Sequence, residues 1–178
     1  MQSILIIYQS KTGFTKKYVD WLTKSISCHV VRFEEINSVS INDYDIVIYG
    51  AGLHAGRIKG IKAFKQEVLN TANKQFIVLV TGGTPFHEEL ILNIKNNNFS
   101  EDELNNIKLF YCQSGLNYKK MGMFDKLIMK SFSKLLELKK DKSEIESGTS
   151  QAISGSYDHS NQKYLNPLIE YIDQLIDD

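Results

Sequence analysis

Apolar residues fall along the chain in short continuous runs, and the stretches between them carry helical spacing. Ser3–Tyr8 (SILIIY), Val30–Phe33, Asp45–Tyr49, Phe76–Val80 and Lys108–Cys112 are runs of strand length. The continuous apolar run in Ser3–Tyr8 is typical of a strand covered on both faces, as in a parallel sheet between helices. Between these runs, apolar positions recur at three- and four-residue steps. Tyr18, Trp21, Leu22 and Ile26 form one such set, and Ile61, Phe64 and Val68 lie within a helix expected over 58–69. A third helix is expected over 86–95, with Pro85 in its first turn, where its missing N–H is not needed. A last one over 165–176 carries Leu168, Ile169, Ile172, Leu175 and Ile176. Asn37–Asp43 is polar and too short for a full helix with loops. Five strands alternating with helices predict an α/β fold: a doubly wound, five-stranded parallel sheet in the order 2-1-3-4-5.

The regular alternation breaks once, after the fifth strand. Met123, Phe124, Leu127, Ile128, Phe132, Leu135 and Leu136 mark an extra amphipathic helix there, and 139–161 is polar, rich in Gly and Ser, and reads as a loop. The whole chain, 1–178, reads as one domain with an insertion over about 113–161. Its 178 residues, 42% hydrophobic and 24% charged, have the ordinary globular balance and can bury roughly 70% of the unfolded surface. Twenty-one Lys and Arg balance twenty-one Asp and Glu, which argues against a dedicated nucleic-acid binder. The insertion departs from this neutrality. Lys119–Lys142 carries eight lysines against Asp125, Glu137 and Asp141. An amphipathic helix with a lysine-rich polar face suits the surface of an anionic membrane, although an ordinary docked surface helix has the same pattern. Cys28 and Cys112 stand alone, with no CxxC pair and no zinc spacing, and read as buried thiols of a reducing compartment. No run approaches the ~20 apolar residues of a membrane span. The expected location is cytoplasmic, with peripheral contact at the inner face of a membrane open.

In open parallel sheets, ligands bind beyond the carboxyl ends of the strands, near the reversal in strand order. That selects the loops after strands 1, 3 and 4. Ser10-Lys11-Thr12-Gly13-Phe14-Thr15 sets three hydroxyls and a glycine between a buried strand and a helix N-terminus. Free N–H groups and the helix dipole favour an anion there. It is neither GxxxxGK[ST] nor GxGxxG. Tyr8-Gln9-Ser10 lacks the acidic residues that a phosphorelay receiver would need after its first strand. The other two loops are Gly50-Ala51-Gly52-Leu53-His54-Ala55-Gly56 and Thr81-Gly82-Gly83-Thr84-Pro85-Phe86. No Ser-His-Asp set, zinc-ligand set or paired carboxylates stand out, so no catalytic side chain and no metal site are assigned.

The segment Ser10-x-Thr12-Gly13-x-Thr15 resembles the [ST]-x-T-G-x-T phosphate loop of flavodoxins, and the fold pattern covers nearly the whole chain. Within the flavodoxin superfamily the chain resembles the flavodoxin-domain group that includes menaquinone-dependent protoporphyrinogen oxidase. Gly50–Gly56 and the insertion from Tyr118-Lys119-Lys120-Met121 into Phe124–Lys130 carry that finer likeness. The resemblance implies a flavodoxin-like fold with a helical insertion after strand 5, and FMN as cofactor. It implies that Ser10, Lys11, Thr12, Gly13, Phe14 and Thr15 hold the phosphate, with Lys11 facing solvent. Ala51, Gly52, Leu53, His54, Ala55 and Gly56 would line one side of the flavin ring, and Thr81, Gly82, Gly83, Thr84, Pro85 and Phe86 the other. Flavodoxins usually carry an aromatic residue just before the glycine of the strand-3 loop. Ala55 stands there, with His54 as the nearest substitute, and Phe86 or Tyr118 would serve on the other side. Gly56, with Gly52 second, is the glycine whose peptide would reverse toward flavin N5. His87 would lie on the surface of the following helix.

On that resemblance the chemistry sits on the flavin, and the protein supplies orientation and electrostatics. The first reading is an FMN-dependent oxidoreductase, protoporphyrinogen oxidase-like, that passes electrons to a quinone or to a redox partner protein. The second is a flavodoxin-type electron carrier without a substrate of its own. Carriers of that family are typically acidic, and this chain is neutral with a basic insertion. A third is a flavin-free interaction module, which the intact Ser10–Thr15 loop disfavours.

Overall fold

The computed structural model describes residues 2–68, 74–138 and 155–177. Its main sheet orders β2 (His29–Arg32), β1 (Ile4–Gln9), β3 (Ile46–His54), β5 (Gln75–Gly82) and β6 (Ile107–Gln113), all pairs parallel. The expected 2-1-3-4-5 order is therefore the observed one. A short strand, β4 (Arg57–Ile58), pairs antiparallel with the end of β3.

Both faces of the central strands are buried because successive side chains point to opposite sides and both sides are apolar. Leu5, Ile7, Val47, Tyr49, Val78 and Val80 face one way, against Phe64 and Val68 of α2 (Ile61–Val68) and Ile94 of α3 (Glu88–Asn98). Ile4, Ile6, Ile46, Ile48, Ile77 and Leu79 face the other. There they meet Tyr18, Val19 and Leu22 of α1 (Phe14–Leu22) and Leu168 and Ile172 of α6 (Asn166–Asp177). Cys112 lies in this second layer, its thiol donating to the Tyr164 carbonyl at 3.3 Å. Burial pushes that thiol up to about 12, so it stays protonated near neutrality.

Several elements differ from expectation for local reasons. Pro85 and Phe86 lie outside α3, which begins at Glu88. His87 is its exposed N-cap, accepting the Leu90 N–H on Nδ1 at 3.1 Å. The helix continues through Asn96–Asn98 and ends at Phe99. A further helix, α4 (Glu101–Asn106), follows at once, closed by a capping box between Ser100 and Glu103. The connector after β2 coils into two 3₁₀ turns, Phe33–Ser38 and Ile41–Asp43.

After β6 the chain leaves through β7 (Gly115–Leu116) and returns through β8 (Tyr157–Asp158), which pair antiparallel. Between them stands α5 (Met123–Leu138), the extra helix marked by its apolar spacing. The loop expected over 139–161 lies outside the described residues as far as 154, as do Lys139, Lys140 and Lys142 of the basic segment.

Candidate functional site

The carboxyl ends of β1, β3 and β5 converge at three small or hydroxylic residues. Thr15, in the first turn of α1, is buried, and its Oγ1 lies 2.9 Å from Oγ1 of Thr81, the buried penultimate residue of β5. A methyl group placed on Gly52 of β3 would stand 3.9 Å from both hydroxyls. The three segments singled out by the strand-end rule therefore meet at one point.

The β1–α1 loop is shaped by Gly13, the N-cap of α1, at φ 97° in the left-handed region that side chains avoid. Gly13 offers no side chain to cap the helix, so Ser10 reaches over and accepts the Lys16 N–H on Oγ at 3.2 Å. Helix geometry leaves the N–H groups of Phe14 and Thr15 without an intrahelical acceptor. The result is a turn with amides that have no intrahelical acceptor, hydroxyls of Ser10 and Thr12, and the positive end of a helix dipole.

The segment after β3 is more ordered than a glycine-rich loop. β3 continues through Gly50, Gly52 and His54, turns at Ala55 and Gly56, and pairs back as β4, with Leu53 opposite Ile58 and His54 opposite Arg57. The two turn residues have φ 47° and 76°, the positive values a two-residue hairpin turn requires. Ala55 holds this conformation without the relief a glycine or asparagine would give. The clamp is Asn98, a buried side chain at the end of α3 that the sequence pattern did not single out. Its Oδ1 accepts the Ile58 N–H at 2.8 Å. Its Nδ2 donates to the Gly56 carbonyl at 2.9 Å and to the Ile94 carbonyl at 2.7 Å. The Gly52 carbonyl is likewise engaged, by the Lys59 N–H at 3.0 Å. Both glycine peptides considered for reversal are thus held by hydrogen bonds.

The segment after β5 is held through its carbonyls. Gly82 O accepts the Ser114 N–H at 2.6 Å, Gly83 O accepts the Tyr157 hydroxyl at 3.3 Å, and Thr84 O accepts the Tyr111 hydroxyl at 2.6 Å. Peptide planarity then points the N–H groups of Gly83 and Thr84 away from β6 and β8. Burial raises the pKa of Tyr111 and Tyr157, which keeps both hydroxyls as donors. Tyr118 lies near Tyr157 and is half-buried, its N–H donating to Ser156 Oγ at 3.0 Å. Phe86, by contrast, is 62% exposed. Pro85 and His54 are exposed as well, and Ala51 is buried within β3.

Lys11 does not simply face solvent: its ammonium pairs with Asp125 in the first turn of α5. That contact holds the Asp125 carboxyl below the usual carboxylate range, the Lys11 hydrogen bond contributing most. Residues 123–138 therefore begin beside the β1–α1 loop.

Residues 5–143 match the family model of the flavodoxin domain. A comparison with curated proteins finds no match. Among solved structures, the chain is similar to a flavodoxin described as a WrbA-like protein from Agrobacterium tumefaciens, at 14% identity over 70% of this chain and 88% of that one, TM-score 0.46. It is similar to a flavoprotein in complex with FMN from Lactobacillus acidophilus, at 13% identity over 62% and 91%, TM-score 0.43. It is also similar to an FMN-dependent NADH-azoreductase from Bacillus anthracis in complex with FMN, at 8% identity over 86% and 98%, TM-score 0.44.

The Asn98 clamp makes a specific prediction. Asn98→Ala leaves the Ile58 N–H and the Gly56 carbonyl without their partner, which should cost about 2–4 kcal/mol of stability. Denaturant unfolding measures that loss. Amide hydrogen exchange at Ile58 should accelerate with it, and unchanged exchange there would mean that Asn98 does not hold the hairpin.

Proposed function

The chain belongs to the flavodoxin-domain family, and from that premise we propose that it is an FMN-dependent oxidoreductase. The observation that carries the reading is the meeting of Thr15, Gly52 and Thr81 beside a glycine-shaped helix N-terminus. The donors fit a phosphate monoester. Ser10, Thr12 and the amides from Lys11 to Thr15 offer a cluster of N–H and O–H groups, and a dianion gains from several charge-assisted bonds at once. Gly52–Gly56 forms one wall for a flat ring. Gly82–Thr84, with Gly83 and Thr84 amides turned outward, forms the other. Bound FMN supplies the redox chemistry. The residues around it set its orientation, limit water and fix which edge is open.

The partner reading is narrower. The neutral chain and its basic insertion favour an enzyme over an acidic carrier that docks on basic proteins. We infer an organic donor and a quinone or similar carrier as acceptor, protoporphyrinogen with a membrane quinone being the pair the finer likeness suggests. Tyr118 and the start of α5, set beside the Ser10–Thr15 loop and the residues after β5, are suited to wall a wide substrate against the ring. Among the described residues no helix is long and apolar enough to cross a membrane. The outer side of α5 instead exposes Met123, Leu127 and Leu138 together with Lys130 and Lys134, which suits peripheral contact with an anionic lipid surface from the cytoplasmic side.

Two measurements test these readings. Flavin-free protein should bind FMN with quenching of flavin fluorescence, and Thr12→Glu should weaken binding by about 100-fold or more, because a carboxylate would face the phosphate. Equal affinity of the two proteins would place the phosphate elsewhere. Sedimentation with vesicles containing anionic lipid should fall as salt rises and be lost on changing Lys126, Lys130 and Lys134 to Glu, since each lysine contributes roughly 1 kcal/mol at such a surface. Equal sedimentation of the charge-reversed protein would remove the membrane role and leave α5 as a substrate wall.

A further inference from the structure

Two lysines cross between the β1–α1 loop and the segment that follows β7, in opposite directions. Lys11 leaves the loop and pairs with Asp125; a methyl group on Gly122 would lie 3.2 Å from its Nζ. Lys120 comes back the other way. A methyl group on Gly13 would lie 3.4 Å from its Nζ, so the Lys120 ammonium rests directly against the turn of the loop.

The two crossings differ in charge balance. Asp125 is matched by Lys11, and His54 and Lys59 lie close enough to lower its pKa further. Lys120 makes no ion pair among the described residues. Its ammonium stands beside the N-terminal end of α1, where amides without an intrahelical acceptor and the helix dipole already present positive charge. A cation there is repelled by the loop when the loop is empty of anions. Once an anion lies between them, loop amides and ammonium act on it together, and the repulsion becomes a clamp. The Lys11–Asp125 pair and the β7–β8 pairing hold the segment in reach without using the Lys120 charge.

We propose that Lys120 is a phosphate-contacting residue that the insertion supplies to the Ser10–Thr15 loop, so that a phosphate monoester bound there is held from two distant parts of the chain. This rests on reading that loop as the FMN phosphate site. The insertion is then part of the cofactor site and not only a surface helix or a substrate wall.

The test compares FMN with riboflavin, which carries the same ring without the phosphate. Flavin-free protein is titrated with each, following flavin fluorescence, for the parent chain, Lys120→Met, Lys120→Arg and the remote control Lys24→Met. Lys120→Met should weaken FMN binding by about tenfold and leave riboflavin binding unchanged, as expected for loss of one charge-assisted contact. Lys120→Arg should stay near the parent, and Lys24→Met should match it. Equal FMN affinity of Lys120→Met and parent, or equal losses for FMN and riboflavin, would overturn the proposal. If the parent binds neither flavin, the FMN reading itself fails. Inorganic phosphate then decides the matter, followed by the amide shift of Gly13. A phosphate-dependent shift present in the parent and lost in Lys120→Met supports the clamp, and any other result overturns it.

Discussion

Everything at the candidate site follows from one constraint: β1, β3 and β5 are apolar on both faces and must be covered by helices on both sides. A strand in that position has no free face on which to carry polar chemistry. Polar and conformationally unusual residues are therefore confined to the strand ends, and parallel pairing brings all the carboxyl ends to one edge. Thr15, Gly52 and Thr81 meet there because their strands are neighbours in the order β1-β3-β5.

Each of the three end segments is then fixed by contacts that leave some of its polar groups unspent. The β1–α1 loop uses Ser10 Oγ to satisfy Lys16 and keeps the amides nearer its turn open. The β3–β4 hairpin is tied from behind by Asn98. The residues after β5 are tied through three successive carbonyls to β6, β8 and Ser114. Buried polar groups cost free energy unless paired, so rigid positioning of this kind requires partners on the far side of each segment. Tyr111, Tyr157 and Asn98 are those partners, and they fix the segments through their hydrogen bonds.

The sheet order was legible in the sequence because the central strands are apolar runs and α1, α2 and α6 carry apolar stripes. What was not legible had weaker local signals. β4 is only two residues, and its turn uses Ala55-Gly56 in place of the Asn-Gly or Asp-Gly that marks such hairpins. Helix α4, with the sequence EDELNN, has no apolar stripe, and only the Ser100–Glu103 capping box announced it. Pro85 suggested a helix start, but His87 sets the cap two residues later. Lys11 read as a solvent-facing lysine because its partner, Asp125, lies 114 positions away, across the insertion. The loops that form the site could be named from strand order alone. The residues that hold those loops, Asn98 above all, depend on tertiary contacts that a single sequence does not display.

We propose that one flavin mononucleotide occupies the joint edge of the three strand-end segments. Backbone amide chemical shifts followed during a titration with FMN test it most directly. Saturable shifts, complete at one equivalent, are expected at Lys11–Thr15, Gly52–Gly56 and Gly83–Thr84. Shifts centred elsewhere, for example at the open cleft of about 560 Å³ between α2 and the end of α3 that is lined by Arg57, Lys62 and Asn97, or no shifts at all, would contradict it.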